Sequence, residues 1–72
     1  MKKKPARNPR AKWVLAYEKG GFLVDYLRHP DYIFDNPELA RERRGDAWVL
    51  LLRHVPGLKQ EQVHVAPLDD FD

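Results

Sequence analysis

The chain contains no cysteine, no serine and no threonine. The first absence excludes disulfides and thiolate metal sites. Together the three remove thiol and aliphatic hydroxyl nucleophiles, so the usual covalent catalysts are missing. Only four glycines are present, and none forms a phosphate-binding loop. Apolar runs are short: the one around Trp48–Leu52 falls far below the ~20 residues that a membrane helix needs. Met1-Lys2-Lys3-Lys4-Pro5 has no apolar stretch behind it, which is not the pattern of a secretory signal. A cytoplasmic protein that does not enter a membrane is therefore expected.

Titratable side chains do not restore a case for catalysis. His29, His54 and His64 follow no zinc-ligand spacing, so neither a metal nor another cofactor is expected. Asp31, Asp35, Glu38 and Glu42 are better used around a helix start than as an acid–base pair. Enzyme activity is not expected, and no catalytic residue is nominated.

At 72 residues the chain has room for one domain. A domain of that size buries only about 60% of its unfolded surface, which leaves a modest core and makes a partner useful. Charge is distributed very unevenly. Residues 1–12 hold Lys2, Lys3, Lys4, Arg7, Arg10 and Lys12 with no acid, residues 13–60 balance seven cations against seven carboxylates, and residues 61–72 carry four carboxylates and no Lys or Arg. Such asymmetry marks interaction segments. The expected organisation is a flexible basic arm over 1–11, a folded α+β domain over 12–68 and an acidic tail over 69–72.

Within the domain, Trp13–Glu18 and Phe22–Arg28 are rich in β-formers and flank Lys19-Gly20-Gly21, which predicts a hairpin. A helix there would place two adjacent glycines at its centre, each costing about 1 kcal/mol. Pairing across a two-residue loop puts Trp13, Leu15, Tyr17, Phe22, Val24 and Tyr26 on one face, whichever loop is chosen. Asn36 reads as an N-cap with Pro37 at the first helical position, Glu38 favoured by the dipole, and Gly45 placed to end a short helix. Ala47–Val55 reads as a central strand, Pro56-Gly57 as a type II turn, and Gln62–Ala66 as a half-exposed strand stopped by Pro67. The expected architecture is ββαββ: an antiparallel sheet of two hairpins with one short helix.

These features predict a small non-catalytic binding protein, accessory to a nucleic acid or nucleoprotein complex. Lys2, Lys3, Lys4, Arg7, Arg10 and Lys12 would contact phosphates, with Arg43 and Arg44 extending the footprint and the folded body resting on a partner surface. Six engaged cations on duplex DNA would give a log K against log salt slope of about −5. The alternative is a protein-binding inhibitor or regulatory subunit, of the kind that small mobile genetic elements encode. It would dock through its sheet face or a strand edge with Trp48, Val49, Leu51 and Tyr32 as anchors. A homodimer with stacked sheets is a third possibility.

Overall fold

The structure is a computed structural model, described here for residues 12–71. Strand β1 (Trp13–Lys19) turns into β2 (Phe22–Tyr26), and helices α1 (Pro37–Glu42) and α2 (Arg44–Leu51) follow before β3 (Val63–Pro67). Short 3-10 turns occupy Pro30–Tyr32, Gln60–Gln62 and Leu68–Phe71. The three strands form an antiparallel sheet in the order β2-β1-β3, with β1 at the centre. The fold is α+β as expected, but with three strands among the described residues in place of four.

The hairpin forms where the glycines place it. Gly20 and Gly21 adopt φ 67° and 89°, the left-handed pair of a type I′ turn, so Lys19 faces Phe22 across a two-residue loop. Asn36 caps α1 as predicted: its side chain accepts from the Leu39 N–H at 3.0 Å, with Pro37 in the first turn. The Pro56-Gly57 turn also forms, with Leu58 N–H donating to the Val55 carbonyl at 3.2 Å.

The segment around Trp48 corrects the sequence expectation. Arg44–Leu51 is helical, and the chain continues through tight turns to Val55. An apolar run without alternation does not distinguish a buried strand from a buried helix. Here Ala and Leu favour the helix, with Val49 the one β-branched residue in it. The helical period sends Ala47 and Leu51, four apart, into the core and turns Val49 to solvent. Gly45 does not end a helix; it lies in the first turn of α2, and the break between helices falls at Arg43, with φ −102° and ψ 14°. With no strand at 47–55, β3 pairs with β1, Leu15 opposite Val65 and Tyr17 opposite Val63.

A second correction concerns the faces of the hairpin. The register runs Lys19–Phe22 and Glu18–Leu23, then jumps to Tyr17–Asp25 and Ala16–Tyr26, so Val24 is the extra residue of a β-bulge. One added residue moves everything beyond it to the other face. Tyr26 therefore lies opposite to Trp13, Leu15 and Tyr17, and Leu27 takes the inward position beside Leu15.

The main core lies between this inward face and the helices. Leu15, Leu27 and Val63 pack with Tyr32, Ala40, Ala47, Leu51, Val55 and Leu58. The reverse face is also closed, and Val14, Ala16 and Ala66 are buried there. Tyr26 from the β2 side meets Phe71 from the β3 side, ring centroids 4.8 Å apart, across the small residues of that face. Phe71, placed by the sequence in an acidic tail over 69–72, is thus packed against the sheet.

Candidate docking edge

Among the described residues, in the sheet order β2-β1-β3, β2 has a strand neighbour on one side only. Three consecutive apolar residues begin it, and all are exposed: Phe22 at 77%, Leu23 at 40% and Val24 at 52%. Strands normally alternate apolar and polar residues; here Phe22 and Leu23 take opposite faces in regular register, and the bulge leaves Val24 as the unpaired extra residue beside them.

The far half of β2 is built differently. Leu27 N–H donates to the Leu15 carbonyl at 2.9 Å, which makes Leu15 and Leu27 a bonded pair. In an antiparallel ladder the adjacent pair, Ala16 with Tyr26, then turns its β2 amide and carbonyl outward. The Asp25 carboxylate occupies that outward Tyr26 N–H at 2.8 Å. Arg28 holds Asp25 in place, donating from Nη2 at 2.8 Å while its guanidinium carbon sits 4.5 Å from the Tyr26 ring centroid. The hydrogen bond from Arg28 is the chief reason that the Asp25 carboxyl is lowered below its ordinary pKa. Beside this latch is a cleft of about 220 Å³, lined by residues that include Tyr17, Asp25, Leu27, Leu51, His54 and Val55.

The residues nominated from sequence do not gather into one site. Lys2, Lys3, Lys4, Arg7 and Arg10 lie outside the described residues. Lys12 is ion-paired to Asp35. Arg43 lies over the Tyr32 ring, donates to its hydroxyl at 3.0 Å and pairs with Asp46 at 3.1 Å. Arg44 bonds the carbonyls of Val63 at 2.7 Å and Gln60 at 3.0 Å, fastening α2 to the start of β3. Its guanidinium is a structural clamp. Among the proposed partner anchors, Leu51 and Tyr32 are core residues and present no surface for docking. Trp48 is half-buried, its indole N–H donating to the Leu58 carbonyl at 2.8 Å, and Val49 alone of the four is exposed.

The sequence allows for docking by a sheet face or strand edge, but its pattern assigns Phe22 and Val24 to the core face and points to other residues as anchors. The signal available was the unbroken Phe-Leu-Val run directly after the turn, where a half-buried strand would alternate. Elsewhere on the sheet, His64 Nε2 and Glu18 Oε1 lie 2.8 Å apart, and Gln62 donates to the Glu18 carbonyl at 2.9 Å. These contacts tie β3 and the turn before it to β1. Among the described residues no group of three or more His, Cys, Asp or Glu side chains is placed to hold a metal ion. No helix among them is long and apolar enough to cross a membrane. No protein family model, curated protein or solved structure matches the chain.

Proposed function

We propose that the chain is a non-catalytic binding protein, regulatory or inhibitory in role, whose folded part docks on a protein through the β1–β2 hairpin. The observation that carries this is the exposed Phe22-Leu23-Val24 run on a strand whose outer side has no strand neighbour among the described residues. Exposed apolar residues scattered singly are ordinary, whereas three in succession at a sheet edge form a contact surface. An aromatic side chain at its head is the usual type of energetic anchor.

Charge supports a protein target for the folded part. Residues 12–71 carry eight Lys or Arg against ten Asp or Glu, a net charge of −2. Of those cations, Lys12, Arg28 and Arg43 are ion-paired and Arg44 is clamped to carbonyls. Such a body offers little to a phosphate backbone. A nucleic acid or nucleoprotein target is the second reading, favoured by the five cations among residues 1–11, a stretch without a carboxylate.

Affinity capture from native extract separates the two, using the full chain, a Phe22→Asp variant and a chain starting at Lys12, each with and without nuclease. The protein-docking function predicts a retained protein that survives nuclease and the truncation and is lost with Phe22→Asp. A nucleic-acid accessory shows the reverse: loss on truncation or nuclease, and indifference to Phe22.

A further inference from the structure

We propose that the cleft between β2 and the end of α2 receives a cationic side chain, arginine or lysine, of the protein that docks on the hairpin, with Asp25 as the charge that holds it. The inference rests on the docking function and names the chemistry of its partner.

Size selects the class of occupant. At about 220 Å³ the cleft falls below the ~300–1,000 Å³ of sites that enclose a small-molecule ligand. It has room for one long side chain. Its walls suit an aliphatic stem with a polar end. Leu27 from β2, with Leu51 and Val55 from α2 and the turns after it, supplies apolar surface, while Tyr17, Asp25 and His54 supply polar groups.

Register explains why Asp25 is there. Asp25 pairs with Tyr17 and Phe22 with Lys19, and these β1 residues lie on the face that carries Leu15. Phe22, Asp25 and Leu27 thus share the inner face of β2, whereas Tyr26, opposite Ala16, is on the outer one. The cleft and the Phe22 anchor lie on one face, and a single partner surface can cover both.

The sign of the occupant follows from the groups with bonding capacity to spare. Asp25 Oδ1 accepts from both the Tyr26 amide and Arg28, while Oδ2 accepts no hydrogen bond among the described residues. The carboxyl, held below its ordinary pKa chiefly by the Arg28 hydrogen bond, is ionised throughout the neutral range. Arg28 is committed to Oδ1 and to the Tyr26 ring. An anion in the cleft would meet the Asp25 carboxylate; a cation gives it a second charge-assisted hydrogen bond. The Tyr17 ring adds a face that attracts a guanidinium or ammonium group. The excess of carboxylates over cations in residues 12–71 favours a partner of the opposite sign.

The test is an NMR titration of the isotope-labelled full chain with N-acetylarginine amide, beside its neutral isostere N-acetylcitrulline amide and the anionic N-acetylglutamate amide. One charge-assisted contact and a short buried stem give a dissociation constant on the order of 10 mM. The arginine probe should shift the Leu27, Leu51, His54 and Val55 amides saturably, with the other two probes at least about fivefold weaker. Asp25→Asn should abolish this binding, and Arg28→Ala, which removes a competing cation, should retain or tighten it; circular dichroism verifies each fold. No saturation by about 100 mM, equal binding of the citrulline probe, or undiminished binding by folded Asp25→Asn overturns the proposal. So does tighter binding of the glutamate probe that is lost in Arg28→Ala, the mark of an anion site. Should Asp25→Asn unfold, the difference between arginine and citrulline probes on wild type decides. In affinity capture, Asp25→Asn should weaken retention of the partner about tenfold. If Phe22→Asp abolishes capture while the arginine probe does not bind, the docking function stands without this cleft. If Phe22→Asp leaves capture intact, the docking function itself fails.

Discussion

Replacing Leu51 and Val49 by alanine, one at a time, tests the helix that carries both. In a strand, residues two apart share a face and the two substitutions would cost similar amounts. In α2 they are about 200° apart around the axis. Leu51 is 3% exposed and packs in the core, whereas Val49 is 53% exposed. Truncating a buried leucine removes its transfer free energy and leaves a cavity, together about 2–5 kcal/mol. For a domain of 60–100 residues each kcal/mol moves Tm by about 4–8 °C. A mid-range loss of about 3 kcal/mol thus lowers Tm by roughly 12–24 °C, a large part of the stability of so small a domain. Val49→Ala loses almost no packing and gains helix propensity, so its change stays within about 0.5 kcal/mol. Thermal melts followed at 222 nm, with urea titrations as a second measure, give both values. Equal losses at the two positions would refute the helical assignment and the core built on it.

Four other outcomes follow from named contacts. Arg44→Ala leaves the carbonyls of Val63 and Gln60 without their guanidinium and should cost about 1.5–3 kcal/mol in urea unfolding. Gly20→Ala forces a Cβ into φ 67° and should cost about 1 kcal/mol, with Gly20→Asn better tolerated because asparagine accepts that region. Asn36→Ala removes the cap on Leu39 N–H and should cost about 1 kcal/mol by the same assay. The lowered pKa of Asp25 contributes stability that is present in full above its ordinary value of 3.8 and fades as pH falls through the lowered one. Its carboxylate is 42% exposed, so the effect is small. An Asp25→Asn variant should show a correspondingly shallower acid limb in a pH series of urea midpoints.

Local chemistry made much of the fold readable in advance. Paired glycines dictated the hairpin turn, Asn36-Pro37 the start of α1, and Pro56-Gly57 the turn after α2, because each feature depends on residues adjacent in sequence. Two elements depended on tertiary context and were misjudged. Ala47–Leu52 is apolar throughout, so no period distinguished strand from helix until α2 met β3 and the core. The bulge at Val24 has no residue signature in this chain, yet it decides which side chains of β2 face inward. The exposure of Val24 follows from that bulge, whereas the burial of Leu51 follows from the helix that replaces the expected strand.

The Arg44 clamp also limits how far strand pairing can extend. With its guanidinium laid on the Val63 carbonyl and Pro67 lacking an amide hydrogen at the other end, β3 is poorly equipped to accept a further strand. Among the described residues, the outer side of β2 is then the side of the sheet better equipped to receive an added strand.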